Sequence, residues 1–190
     1  MSTVLMFVRH GEKPLGDASP RGVTIDGQPD RESLTPRGWQ RAGALVRFFV
    51  AGDGGPGSSG LPVPTRFFAS QVGPQSSSRR PLETLQPLAE RLRQPVDATH
   101  LKQDVDGLSR TLAAVEGSAV VSWEHHLIPS IVLALVESPG PVPSAWPDDR
   151  FDVVWVLERP SATMPFTFRQ VPQLLLAGDV AELIVDLGAG

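Results

Sequence analysis

The sequence predicts an α/β protein, a three-layer sandwich in which a mainly parallel central sheet has helices on both faces and a C-terminal hairpin. Three short apolar runs, residues 3–8, 66–70 and 119–123, have the character of strands buried on both sides. Segments with helical periodicity separate these runs, and strands that alternate with helices are typical of parallel sheets. Alternating hydrophobicity at 151–157 and 164–169 predicts the closing hairpin.

Size and composition indicate one domain that spans residues 1–190. A chain of 190 residues, 41% of them hydrophobic, is long enough for one sizeable core. The net charge of −4 argues against a nucleic-acid partner. The absence of cysteine excludes disulfides and thiol chemistry, and no apolar run reaches the length of about 18 residues that spans a membrane. We therefore expect a cytoplasmic protein without a membrane partner.

The first strand is followed directly by Arg9-His10-Gly11-Glu12 and then by a polar loop that reaches Ser33. Loops of this length in compact domains tend to be functional. Thr35 and Pro36 are the residue types favoured at an N-cap and at the first helical position, so we expect the first helix to begin here. Its apolar face consists of Trp39, Ala42, Val46 and Phe49.

The second strand is followed by a polar segment and a leucine-rich helix. Ser78 is the candidate cap of this helix, and Pro87 in its interior should kink the helix or restart it. A third helix, closed by Gly117, precedes the third strand, and a fourth is expected over residues 128–136. The apolar positions of the second and third helices are Leu82, Leu85, Leu88, Leu92, Val105, Leu108, Leu112 and Val115.

Polar side chains follow each of the three buried runs, at residues 9–12, 70–80 and 124–126. In open α/β sheets, ligands bind outside the carboxyl ends of the parallel strands. We therefore expect these three segments to converge at one edge of the sheet and to form the functional site there.

Four segments resemble, in the same order, the motifs of the histidine phosphatase superfamily, which is also called phosphoglycerate-mutase-like. They are RHGE at 9–12, LTPRGWQRA at 34–42, RPLETL at 80–85 and VVSWEHH at 120–126. The resemblance runs from the start of the chain to about Pro129. It implies the α/β fold and a small, phosphatase-type member of the superfamily.

The resemblance implies that His10 is the catalytic nucleophile and forms a covalent phosphohistidine. Arg9 and Arg80 would be catalytic and phosphate-binding, because planar, permanently charged guanidinium groups match phosphate oxygens in pairs. His125 would be the second catalytic histidine and would bond a phosphoryl oxygen, while Gly11 would let the phosphate approach the backbone. A neutral imidazole is a competent nucleophile near neutral pH, which agrees with the role of His10.

Two of these assignments have close competitors. Arg79 adjoins Arg80, but only Arg80 is in register with the RxxET pattern. His126 stands where the family usually has glycine, and because side chains alternate at a strand end, we expect only one of His125 and His126 to point into the site. Glu124 and the two histidines could also ligate a metal. Consecutive residues converge poorly on one ion, however, so we expect no metal and no cofactor.

The general acid is the least defined part of the site. Family members carry a glutamate in an insertion before the second histidine or an aspartate directly after it, and neither pattern is present. Glu124 is the leading candidate because it adjoins the site, followed by Asp104 and Asp106. Glu12 is expected to order the site by hydrogen bonding to an arginine, and His100 to be an exposed loop residue.

The predicted function is hydrolysis of a phosphomonoester, or of a phosphohistidine-type substrate, by a metal-independent phosphatase. The partner would be a small phosphorylated molecule or a phosphoprotein, recognised by the loops at 13–33 and 137–150. One alternative is a mutase-like phosphotransferase, which the missing insertion disfavours. The other is a phospho-ligand binding protein without turnover, which the complete set of Arg9, His10, Arg80 and His125 disfavours.

Overall fold

The structure is a computed structural model that describes residues 1–16, 19–74, 76–138, 140 and 142–186. Small parts of the predicted loops, residues 17–18, 75, 139 and 141, therefore lie outside the described residues. The strands are β1 (Thr3–Arg9), β2 (Arg66–Ala69), β3 (Val96–Asp97), β4 (Gly117–Trp123), β5 (Val153–Arg159) and β6 (Thr167–Pro172). The helices are α1 (Pro36–Phe49), α2 (Arg80–Leu92), α3 (Val105–Ala113) and α4 (Ile128–Leu133).

One six-stranded sheet with the order β3-β2-β4-β1-β5-β6 confirms the predicted fold class. The four strands from β3 to β1 are parallel, and β5 and β6 extend the sheet as an antiparallel pair. The register of β1 against β4 places Arg9 opposite Trp123, so these central strands end at the same height. The polar segments that follow them leave the sheet side by side.

The two faces of the sheet carry separate apolar cores, because successive side chains of a strand point to opposite faces. Met6 and Val8 pack with the helices α1 and α2, whereas Leu5 and Phe7 pack with α3 and α4. All four side chains are fully buried, and each such burial contributes about 1.5–3 kcal/mol. The central strand β1 is thereby held from both sides, which gives a rigid base to the residues after it.

Helix α2 does not begin at the predicted cap, and it does not restart at Pro87. The N-cap of α2 is Arg79, which makes no side-chain capping bond, so the assignment of Ser78 as the cap is wrong. Pro87 lies inside α2, yet the helix runs without a break from Arg80 to Leu92. The buried leucines of α2 pack against the sheet on either side of Pro87, and this packing outweighs the loss of one backbone hydrogen bond.

Other differences concern the ends of elements. α3 ends at Ala113, and Gly117, predicted to close this helix, instead begins β4 with a φ of 82°. α4 ends at Leu133 rather than at Val136. The closing hairpin is confirmed, with its strands displaced by two or three residues toward the C-terminus. Among the described residues, no helix has the length and apolar character that crossing a membrane requires.

A buried network of charges ties the segment after β1 to helix α1 and to the C-terminal segment. Arg41 of α1, with a side chain 2% exposed, donates hydrogen bonds to both carboxylate oxygens of Glu12 and of Asp179. It also donates to Gln173 at 3.0 Å. The expectation that Glu12 bonds an arginine is confirmed. The donors are Arg37 and Arg41, which lie in the 34–42 segment and had been given no role there.

We expect Asp179→Asn to lower the free energy of unfolding at pH 7 by about 3 kcal/mol, because it leaves a buried guanidinium partly unpaired. Burial alone would raise the pKa of Asp179, but the bonds from Arg41 and from backbone amides lower it overall. The stabilisation is therefore present at neutral pH and is lost as the pH falls through the lowered pKa. Urea unfolding at pH 7 and below pH 4 measures this.

Asp26→Asn is the matched control, since Asp26 is exposed and forms no ion pair among the described residues. It should change the free energy of unfolding by less than about 0.5 kcal/mol. A difference between Asp179→Asn and the unmodified protein that stays constant on acidification would contradict the role given to this carboxylate.

Candidate active site

A cavity of about 440 Å³ opens at the carboxyl edge of the sheet, beside the ends of β1 and β4. His10, the first residue after β1, is held there by a hydrogen bond from its amide to the carbonyl of Trp123 at 3.2 Å. Arg80, Glu124 and His126 contribute to the same wall. The structure thus brings together side chains from all three of the predicted polar segments.

The His10 ring is buried and held in one tautomer. Its side chain is 4% exposed, and Nδ1 lies 2.8 Å from the carbonyl oxygen of Gly11. A carbonyl oxygen only accepts hydrogen bonds, so Nδ1 carries the proton and Nε2 has the free lone pair. Burial, with a smaller effect of Arg80 and Arg9, lowers the pKa of His10 to about 3. The imidazole is therefore neutral at physiological pH and can act as a nucleophile through Nε2.

Close packing against both α1 and α2 sets the position of this segment. The amide of Gly11 donates to Thr84 Oγ1 at 2.8 Å, and that hydroxyl donates in turn to the carbonyl of Arg80. A Cβ on Gly11 would lie 3.0 Å from the carbonyl oxygen of Gly38, and a Cβ on Gly38 would lie 2.6 Å from that of Glu12. The glycines of the RHGE and LTPRG segments are thus required where the backbone after β1 crosses α1.

The two adjacent arginines at the start of α2 separate into different surroundings. Arg80 lines the cavity of His10, donates from Nη1 to the carbonyl of Arg31 at 2.9 Å, and leaves a buried Nε without a partner among the described residues. Arg79 has a side chain 58% exposed, lies 3.7 Å from Asp30, and lines a second cavity beside Trp39. The structure therefore places Arg80, and not Arg79, next to the candidate nucleophile.

Arg9 is buried behind the cavity wall and holds the loop that precedes β5. Its Nη1 donates to the carbonyls of Pro147, Asp148 and Arg150, and the guanidinium stacks 3.7 Å from the ring centroid of Phe151. Its Nε and Nη2 are buried without a partner among the described residues. Burial lowers the pKa of Arg9 to about 10, so the group remains charged at neutral pH. One edge of the guanidinium is thus occupied by the protein, and the other edge keeps two buried donors without partners among the described residues.

His125 lies between two carboxylates. Its Nε2 is 2.5 Å from Asp148 Oδ1, and Glu124 Oε1 is 3.2 Å from Nδ1 without the alignment of a hydrogen bond. The ring is 1% exposed and is not part of the cavity wall, whereas His126 is exposed and lines the cavity. A phosphoryl oxygen bound to His125 would have to replace Asp148 at Nε2.

The two histidine rings do not point apart as strand alternation predicts. Their centroids are 3.8 Å apart, because β4 ends at Trp123 and residues 125–127 form a turn. Ligand atoms of Glu124, His125 and His126 consequently lie within 4.8 Å of one another. The argument that consecutive residues converge poorly on one ion therefore does not hold for this turn, and the absence of a metal in the reaction stays a prediction.

Four carboxylates bear on the question of the general acid. Burial alone would raise the pKa of Glu124, but its contacts with His125 and with the backbone and ring of His126 lower it to about 2. Asp104 caps α3 by accepting from the amide of Gly107, and neither it nor Asp106 lines the cavity. Asp148 was not predicted, and the hydrogen bond from His125 lowers its pKa. Glu124 and Asp148, the carboxylates beside His125, are thus ionised at neutral pH.

Asp148 lies in a loop without hydrophobic periodicity, 23 residues after its histidine partner, and no spacing in the sequence indicates the contact.

His100 also differs from its prediction. It lies in a loop, but its side chain is only 18% exposed, since its ring nitrogens contact Asp104 at 2.8 Å and Thr111 at 3.0 Å. His100 is a structural residue of the segment before α3.

Comparison with solved structures finds a chain titled "Mycobacterial hydrolase 2", which is 14% identical, with 89% of each chain covered and a TM-score of 0.49. No protein-family model matches the sequence, and no curated protein does. The resemblance to the histidine phosphatases thus depends on the four motif segments.

We expect His10→Asn to weaken the dependence of the free energy of unfolding on pH, because asparagine does not titrate. Asparagine is chosen because its amide can still donate to the Gly11 carbonyl. In the unfolded chain a histidine binds a proton below about pH 6.5, whereas the folded protein resists this until about pH 3. Between these pH values the neutral His10 lowers the free energy of unfolding. This loss grows as the pH falls and amounts to about 2 kcal/mol between pH 7.5 and pH 5. Urea unfolding at both pH values measures the difference, and equal losses in the two proteins would contradict a neutral His10.

Proposed function

We propose that the protein is a metal-independent phosphatase that hydrolyses a phosphomonoester, or a phosphohistidine-type substrate, through a covalent phosphohistidine at His10. The observation that carries this proposal is the buried, neutral His10 ring, whose Nδ1 is occupied by the Gly11 carbonyl and whose Nε2 is not. The resemblance of four ordered segments to the histidine phosphatase superfamily is independent support.

In the proposed reaction, His10 Nε2 attacks phosphorus and the bond from phosphorus to the leaving oxygen breaks. The leaving oxygen takes a proton from an acid or, where the leaving group is good, from water. Water then attacks the phosphohistidine, the electron pair of the N–P bond returns to Nε2, and phosphate leaves. The Gly11 carbonyl supports both steps, because it keeps the Nδ1 proton in place and stabilises the ring as positive charge develops on it.

Unpaired arginine donors supply the positive charge that such a reaction needs. Arg9 Nε and Nη2 and Arg80 Nε are buried without partners among the described residues, an arrangement that is costly in the absence of an acceptor. The equatorial oxygens of a phosphoryl group in transfer carry negative charge and would satisfy these donors. We assign both arginines, together with His125 once Asp148 is displaced, to binding the phosphoryl group. The amide of Gly11 is already bonded to Thr84, so the role left to this glycine is to let the phosphoryl group approach closely.

A phospho-ligand binding protein without turnover is the second candidate, and one observation favours it. Glu124 and Asp148 have lowered pKa values, so neither is protonated in the unoccupied site at neutral pH. A bound phosphate dianion beside Glu124 would raise its pKa, because like charges disfavour each other. Glu124 therefore remains the proposed acid for alkyl phosphates, while a substrate with a good leaving group needs none.

We expect a burst of leaving group with an aryl phosphate in excess chelator, followed by continued turnover and by acid-labile, base-stable labelling of the protein. His10→Ala should abolish the label and lower kcat by roughly a thousandfold or more, as loss of a nucleophile does. Rapid-quench kinetics and mapping of the labelled residue measure this. Binding of the aryl phosphate with neither burst nor label would identify the binding protein, whereas a burst of one equivalent without turnover would show that the phosphohistidine forms but is not hydrolysed. A label that persists in His10→Ala would contradict the nucleophile.

We expect Arg80→Lys to lower kcat/KM by roughly tenfold or more, because a point charge cannot replace the paired donors of a guanidinium. Arg79→Lys is the matched control one residue away, and its exposed side chain predicts a change of less than about threefold. Steady-state kinetics on the same aryl phosphate compare the two. A larger loss in Arg79→Lys would move the phosphate contact to the other arginine.

A further inference from the structure

Both lysines of the protein line the cavity that contains His10. The chain has 15 arginines but only two lysines, Lys13 and Lys102. Lys13 comes directly after the RHGE segment, and Lys102 lies in the turn before α3, so distant parts of the chain bring them to one cavity. The cavity volume of about 440 Å³ is within the range of small-molecule sites and is larger than a phosphate group requires.

Neither lysine is within ion-pair distance of a carboxylate of the cavity wall among the described residues. The wall contains two carboxylates, of which Glu32 lies within 3.9 Å of Arg31 and Arg80, and Glu124 within 3.9 Å of the two histidines of the turn. Within the described part of the chain, neither lysine ammonium forms an ion pair, and both side chains are half-buried. Partly desolvated charge of this kind attracts an anion more strongly than a fully hydrated surface lysine does.

Four serines of the same wall contribute hydroxyl groups, and one of these is buried without a partner among the described residues. Ser70, directly after β2, is 1% exposed, and its Oγ has no hydrogen-bond partner among the described residues. Ser76, Ser77 and Ser78 line the cavity between Ser70 and Arg80. The Ser70 hydroxyl and the two lysine ammonium groups are donors on one cavity wall, and an oxygen-rich anion can accept hydrogen bonds from them.

We infer that the cavity contains a second anion subsite, formed by Lys13 and Lys102, and that the ligand is a phosphoryl compound with a second anionic group. This deepens the proposed function, on which it rests, by naming the substrate class. The arginines and His10 receive the phosphoryl group, and the lysines receive a carboxylate or a second phosphoryl group. Lysine suits this role because a flexible point charge accepts either group, whereas guanidinium groups hold the reacting one.

The test uses phosphonates, whose P–C bond the proposed reaction does not cleave. Ethylphosphonate has one anionic head, whereas 2-carboxyethylphosphonate and 1,2-ethylenebisphosphonate add a carboxylate or a second phosphonate on the same two-carbon unit. We expect calorimetry to show at least about tenfold tighter binding of one or both two-headed compounds, roughly the gain from one charged hydrogen bond. The preferred compound identifies the chemistry of the second group.

The variant Lys13→Met/Lys102→Met retains the stems and removes the charges, and it should reduce this preference to less than about threefold. Lys13→Arg/Lys102→Arg retains the charges and should restore most of the preference. Arg66→Gln/Arg110→Gln is the matched control, because it removes two exposed positive charges outside the cavity and should keep the full preference. Comparing compounds within one variant separates the effect from any general loss of folding.

Equal binding of all three compounds by the unmodified protein would overturn the subsite, as would a preference that survives in Lys13→Met/Lys102→Met. Because the readout is binding, it does not depend on catalysis. A lysine-dependent preference in a protein that neither turns over nor forms a phosphohistidine would support the subsite and reject the proposed phosphatase.

Discussion

The parallel pairing of β1 with β4 is the interaction on which the candidate site depends. These strands end at the same height, and the hydrogen bond from the His10 amide to Trp123 continues their pairing by one residue. The buried side chains of β1 on both faces resist any slip of this register. The alignment of His10 with the turn at 124–126 is therefore a property of the sheet rather than of the loops.

Three buried basic groups in and around the segment after β1, Arg41, Arg9 and His10, differ in how they are paired. Arg41 is fully paired with carboxylates and links distant segments. Arg9 is bonded on one edge only, by backbone carbonyls, and keeps its charge. His10 loses its charge altogether, because burial disfavours the imidazolium. These differences in pairing produce a neutral imidazole beside positive charge, the combination that the proposed reaction needs.

Helix caps and buried strands depend on residues that are neighbours in the sequence, and these elements could be predicted. The Thr35 cap, where Oγ1 accepts from the Gly38 amide, and the strand before RHGE are examples. Contacts between distant segments were not predictable. Arg41 bonds Asp179, which lies 138 residues further along the chain, and His125 bonds Asp148, which lies in a loop without hydrophobic periodicity. Ser78 was also predicted wrongly as a cap, because α2 begins one residue later, with Arg79 at the N-cap position and no side-chain capping bond.

The loop before β5 contacts two residues that the proposed function assigns to binding the phosphoryl group, Arg9 and His125. Arg9 Nη1 joins three carbonyls of this loop, and Asp148 of the same loop occupies His125. In the proposed reaction a phosphoryl oxygen that binds His125 Nε2 replaces Asp148, so part of the binding free energy offsets the loss of that hydrogen bond. By reciprocity, whatever stabilises the loop in this position weakens the binding of the proposed substrate by the same amount. Asp148 would thus act as an internal competitor of that substrate, while the carbonyls on Arg9 Nη1 stay in place.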